Sequence, residues 1–153
     1  MKAIQDYYPD HFGACYGCGR LNEHGLQIKT YWDGDETVTR FVAKSYHTAM
    51  PQFVYGGLLA SLIDCHGTGS AALAIAKAEG IELEGHNAPR CVTGSLRVDY
   101  KKPTPIGAQL EIRGIIREVK GRKVTVDARL LADGDVCVTG EIVAIRVPDD
   151  FGK

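Results

Sequence analysis

The chain has 153 residues, 44% of them hydrophobic and 24% charged, the size and make-up of one globular domain with a single core. Its 18 basic and 19 acidic side chains leave a formal charge of -1, so there is no basic excess to drive nonspecific binding to nucleic acid or to an anionic membrane. The opening residues lack the apolar run of a signal peptide, no segment reads as an apolar, uncharged membrane span, and the five cysteines are odd in number; together these suit a reduced, cytoplasmic protein without a disulfide framework.

Residues 1–24 form an N-terminal extension carrying Cys15 and Cys18. A redox dithiol is expected to follow a strand and open a helix, which this glycine-rich stretch does not suggest. Structural zinc needs two more ligands, and no second C-x-x-C or H-x-x-H exists; His11 or His47 could complete a site only by accident of folding. The pair is read as ordinary thiols at the rim of the fold, with no metal and no cofactor. From Leu26 to Trp32 apolar residues tend to alternate, Asp33-Gly34-Asp35 reads as a turn, and Thr37 to Val42 is β-branched and aromatic, which predicts a hairpin.

Gly56 to Lys77 has no proline, is rich in Leu and Ala, and is too long for an ordinary strand, so it predicts one helix. Its apolar residues cover nearly the whole circumference, with small residues in the middle, as in a helix wrapped by other backbone. Residues 79–90 follow as a charged, glycine-containing loop, a lid or plain surface. Alternation then recurs at Val92 to Tyr100, Leu110 to Ile112, Val124 to Leu130 and Val136 to Val138, joined by short turn-rich links, which predicts four strands in a largely antiparallel meander. The class is α+β: one long central helix against a curved sheet of about six strands.

Asp64 is the chemical oddity of that helix. An unpaired carboxylate among apolar residues costs several kcal/mol or shifts its pKa upward, so either it meets a polar partner at a contact or it performs chemistry. Gly56 and Gly57 stand at the predicted helix start. Free amides there can bind an anion or a carbonyl oxygen developing charge, although a glycine pair can also serve only a tight turn. His66 either supports Asp64 or satisfies a hydrogen bond at an interface, and the second reading is favoured.

These residues also form a pattern. Tyr55-Gly56-Gly57 through Leu62 and Asp64 resembles the H-G-G-x-x-x-x-L-x-D helix start of the hotdog-fold acyl-CoA thioesterases, above all the PaaI-like and thioesterase-superfamily-member branches. Thr93, Leu96, Tyr100 and Pro103 match their [ST]-x-x-L-x-x-x-Y-x-x-P strand, Gly121-Arg122-Lys123 falls at their G-R-K turn, and Cys15-x-x-Cys18-Gly19 with Asn22 and Gly25-Leu26 is similar to the opening of one sub-branch.

The resemblance implies a hotdog fold, hydrolysis of an acyl-CoA thioester, and a homodimer or dimer of dimers with composite sites. By position it makes Gly56 the amide donor to the thioester carbonyl, Asp64 the general base or nucleophile, and Thr93 the hydroxyl that helps position water. His47, Gln52, Tyr55 and Gly57 fall on the substrate-facing loop and helix start, where Tyr55 replaces the family's histidine; Lys101, Lys102 and Arg122 are candidates to meet the phosphates of coenzyme A. Two rivals stay open: a hotdog protein that binds acyl-CoA or another hydrophobic ligand without turnover, and, less favoured, a hydratase or dehydratase on the same fold.

Overall fold

In the computed structural model, which describes residues 1–153, the proline-free stretch does form one helix, α1, at Gly56–Ala78. Leu58 to Ala76 are almost wholly buried, so α1 has no solvent face and lies inside the protein. It has the length and apolarity of a membrane span, but it carries Asp64 and 83% of its apolar window is buried within the fold. The sheet is what buries it.

That sheet has six strands in the order β1-β2-β6-β7-β8-β5: β1 Tyr31–Asp33, β2 Glu36–Val42, β5 Cys91–Tyr100, β6 Gln109–Lys120, β7 Lys123–Ala132 and β8 Asp135–Arg146. All its pairs are antiparallel. Leu62, Ile63, Leu110, Ile112, Val126, Leu130 and Ile142 fill the space between helix and sheet. A long helix gripped by a curved antiparallel sheet is the hotdog fold.

Three expectations change. The last four strands are not one meander, because β5 pairs with β8 and leaves β6 to β2. Residues 101–108 cannot make a hairpin: Thr104 accepts from the Val54 amide, the Ile106 amide donates to Gln52, and Pro105 bridges Phe53, so this link runs along a small hairpin, β3 Thr48–Met50 and β4 Phe53–Val54. The early strand shrinks to Tyr31–Asp33, because Gln27 adopts φ 55° and the Leu26 and Ile28 amides bond the loop carbonyls of Tyr16 and Gly17. Cys18 lies in the core rather than at the rim.

One irregularity decides a side chain's direction. Thr93 pairs with Ala144 and Ser95 with Val143, so Gly94 is the extra residue of a β-bulge. Strict alternation places Thr93 on the opposite face from Val98 and Tyr100. The bulge reverses the parity, and all three face α1: Thr93 bonds Asp64, Val98 packs on the core, and the Tyr100 hydroxyl reaches Gly56.

The N-terminal segment closes the other side of α1. Ile4 and Tyr8, in and just after a 3-10 turn, pack with Ala72, Leu73 and Ala88. The Ala88 amide donates to the Tyr7 carbonyl, which ties the 79–90 loop to this segment at the C-terminal end of the helix.

Candidate active site

The helix start is held by β4 and by backbone. Tyr55, extended at φ -58° and ψ 129°, caps α1 without a side-chain bond, and its carbonyl accepts from the Leu58 and Leu59 amides. The Gly56 and Gly57 amides have no backbone acceptor, as the first turn of a helix requires. They carry the positive end of the helix dipole. Tyr100, from the far end of β5, donates its hydroxyl to the Gly56 carbonyl at 2.7 Å.

A groove of about 330 Å³ opens beside these amides, walled by Tyr16, Tyr46, His47, Tyr55, Gly57 and Ser61. His47 is held in its wall: the Lys44 amide donates to its Nδ1 at 3.0 Å. Partial burial and the Lys44 charge hold its pKa below the usual histidine value. The neutral ring therefore carries its proton on Nε2, as a donor.

Asp64 is half-buried, and the Thr93 hydroxyl donates to its Oδ1. This leaves Oδ2 free of any protein partner. Gly57, Ser61 and Asp64 follow the i, i+4, i+7 spacing, so the groove and the carboxylate share one helix face. His66 is on another face and does not touch Asp64. It is fully buried within the chain, with Nδ1 against Thr39 Oγ1 at 2.9 Å and Nε2 against Thr37 Oγ1 at 3.2 Å, rather than at an interface. Burial lowers its pKa to about 3, so it is neutral.

The remaining candidates are spread out. Gln52 is exposed at the β3–β4 turn and uses its backbone carbonyl to hold Ile106. Lys101 and Lys102 leave β5 at the end near Tyr100 and Gly56, with Lys102 Nζ 3.8 Å from Asp135. Arg122 is at the opposite end of the sheet, where its carbonyl accepts from Arg146, itself opposite Cys91. The length of β5 separates it from the lysines by roughly 30 Å. Tyr100, Ser61 and the groove tyrosines Tyr16 and Tyr46 also stand at this site. Of these only Tyr100 had a signal, its place in the Y-x-x-P motif.

The spacing between the two catalytic candidates carries a constraint. Gly56 and Asp64 are eight residues apart on one straight helix, roughly 12 Å by the helical rise. An amide and a carboxylate must both come within about 3 Å of the reacting group to act on it. One protomer cannot bring its own Gly56 and Asp64 to one carbonyl.

The family model of the thioesterase superfamily matches residues 51–139, a span that holds Gly56, Asp64, Thr93 and Tyr100. A thioesterase superfamily protein from Shewanella loihica is 46% identical, with 84% of this chain and 98% of that one covered at a TM-score of 0.68. An uncharacterized protein from Pyrococcus horikoshii, 15% identical, shares the fold at a TM-score of 0.63 over 96% of this chain and 95% of its own. Mouse (Mus musculus) acyl-coenzyme A thioesterase THEM4 is 26% identical over 117 residues, 76% of this chain and 45% of that protein. The chain thus spans less than half the length of the curated relatives it matches. By family model and by identity alike, the chain belongs to the thioesterase superfamily.

Proposed function

We propose that the protein hydrolyses an acyl-CoA thioester in a site shared by two copies of the chain, with Asp64 of one and Gly56 of the other. The observation that carries this reading is Asp64 itself, a carboxylate in an apolar helix whose one side-chain partner is Thr93 and whose Oδ2 is free. The curated relatives, named acyl-coenzyme A thioesterases, supply the substrate class. The Gly56 amide polarises the thioester carbonyl. Asp64 either takes the proton of an attacking water or attacks the carbonyl carbon itself to give a mixed anhydride that water then cleaves. In both routes the C–S bond breaks, coenzyme A leaves as its thiolate and takes up a proton, and the acid is released. Thr93, donating to Oδ1, fixes the carboxylate so that Oδ2 points its lone pairs at the reaction. Lys101 and Lys102, near the helix start, suit the nucleotide phosphates.

Thiol release from short, medium, long and aromatic acyl-CoAs tests the reading. At least one should turn over, and Asp64→Asn should lose roughly 10²- to 10⁴-fold in kcat, the range of a lost general base. A wild-type protein that binds acyl-CoA but is inert across the panel would instead favour the binding-only reading, which the Tyr55 replacement of the family histidine makes specific.

The shared site has its own test. Gly56→Pro removes the amide hydrogen at the first helical position, where proline is tolerated and Tyr55 already has the extended ψ that proline demands. Gly56→Pro and Asp64→Asn homo-oligomers should each be nearly inactive. Their mixed oligomer should regain activity, because one of its two sites combines intact Gly56 with intact Asp64. No recovery on mixing, with subunit exchange confirmed, sinks the shared site while leaving Asp64 standing.

A further inference from the structure

Three of the five cysteines meet beside α1, one helical turn beyond Ser61 of the groove. Cys15 and Cys18 come from the N-terminal segment and Cys65 from the middle of the helix, and their sulfurs lie within 4.8 Å of one another. The Cys15 and Cys65 sulfurs are 3.9 Å apart, near the roughly 3.8 Å edge of a tetrahedron of sulfurs about 2.3 Å from zinc. Cys18 and Cys65 are buried, and Cys15 is half-buried. The approach is made possible by Gly17: a Cβ there would sit 2.3 Å from the Cys65 sulfur, so no other residue lets the loop come this close to the helix.

The surroundings are arranged for negative charge. The Arg90 guanidinium packs over the Tyr8 ring with 4.8 Å to its centroid, makes its hydrogen bond only to the Cys91 carbonyl, and places its charge within reach of all three sulfurs. No acidic side chain pairs with it. A half-buried cation without an anion gives up part of its hydration uncompensated.

We propose that Cys15, Cys18 and Cys65 form a three-thiolate site for zinc(II), with the fourth position open beside half-buried Cys15. The charge favours zinc: three thiolates on a dication sum to -1, which Arg90 neutralises, whereas copper(I) in the same ligands would leave -2 against one guanidinium. The ion ties the N-terminal segment to the central helix one residue from Asp64. It also fixes Tyr16, which stands between the two loop ligands and walls the groove beside Gly57 and Ser61. C-x-x-C alone cannot reveal this site, because its third ligand comes from a helix far along the chain.

The test uses the folded full-length protein, reduced with a phosphine, stripped with a chelator and titrated with Co²⁺ and then Zn²⁺. Its readouts, near-ultraviolet sulfur-to-cobalt absorption and metal bound per chain, do not depend on thioester turnover. The expected result is one Co²⁺ per chain with a thiolate charge-transfer band that Zn²⁺ abolishes. Cys15→Ser, at the half-exposed ligand, should weaken binding by roughly 100-fold or more, beyond the usual cost of an outer-shell change. Cys137→Ala, remote from the cluster, should leave it unchanged. A folded wild-type protein that shows no thiolate–cobalt band, or a folded Cys15→Ser variant that binds as tightly as wild type, overturns the proposal and reduces the cluster to packed thiols.

Discussion

At the scale of single residues, His66 and Asp64 show how two polar groups two positions apart on one helix take different parts. His66 is enclosed by Thr37, Thr39 and Ser70, and the hydroxyls continue through Thr30 to Gln5. Its partners are neutral, so burial favours the uncharged ring and the folded pKa drops to about 3. Above pH 6.5 the ring is neutral in folded and unfolded chains and contributes no pH dependence. As pH falls below 6.5 the unfolded state takes up a proton that the folded state refuses, so stability declines down to about pH 3. The slope from this one group approaches about 1.4 kcal/mol per pH unit. Urea unfolding at a series of pH values should show that slope in wild type and a shallower one in His66→Gln; equal slopes would show that His66 does not set the acid sensitivity. Asp64 was legible in the sequence because a charge in an apolar helix needs a reason. The direction of Thr93 was not, since it depends on the Gly94 bulge, and an extra residue in one strand is visible only against its partner β8.

At the scale of elements, the helix was readable almost to the residue, from proline-free length and composition, whereas the strand order was not. Alternation identifies a strand but says nothing of its neighbour, and β5 finds β8 because Pro103 and Pro105 send the chain along β4 instead of back in a hairpin. The depth to which α1 sinks into the sheet is set by small residues. A Cβ on Gly67 would lie 2.4 to 2.7 Å from three side-chain atoms of Ile142, a β-branched residue held in mid-strand. Gly67→Ala therefore sets two effects against each other. Helix propensity gains about 1 kcal/mol, and overpacking of a close-packed core costs about 1 to 3 kcal/mol. With three contacts under 3.0 Å the cost wins. Gly67→Ala should lower unfolding free energy in urea by up to about 2 kcal/mol with an unchanged m-value; a stabilised variant would mean that Ile142 yields freely.

At the scale of the whole molecule, the unfinished feature is β5. It ends the sheet, its residues Val92 to Arg97 are exposed, and Val92 and Leu96 offer apolar side chains to solvent on an edge without a partner strand. Proteins usually blunt such edges with charge or proline, because free backbone groups recruit other strands. Here the edge carries Thr93 and Tyr100, the residues that hold Asp64 and the helix start. Covering it with the same edge of a second copy would pair the strands around a twofold axis and bring the two helices alongside each other. Antiparallel helices set side by side place the start of one near the middle of the other, which removes the roughly 12 Å separation of Gly56 and Asp64 within a chain. Assembly and catalysis are therefore predicted to fail together. Sedimentation should find a dimer or a multiple of it in wild type, and Leu96→Lys, which puts a charge on the edge strand while leaving Asp64 and Gly56 themselves unchanged, should yield monomers with native circular dichroism and little turnover. A monomeric Leu96→Lys variant that keeps wild-type kcat would show that one chain suffices, and the reading of Gly56 and Asp64 as partners in one site would have to be abandoned.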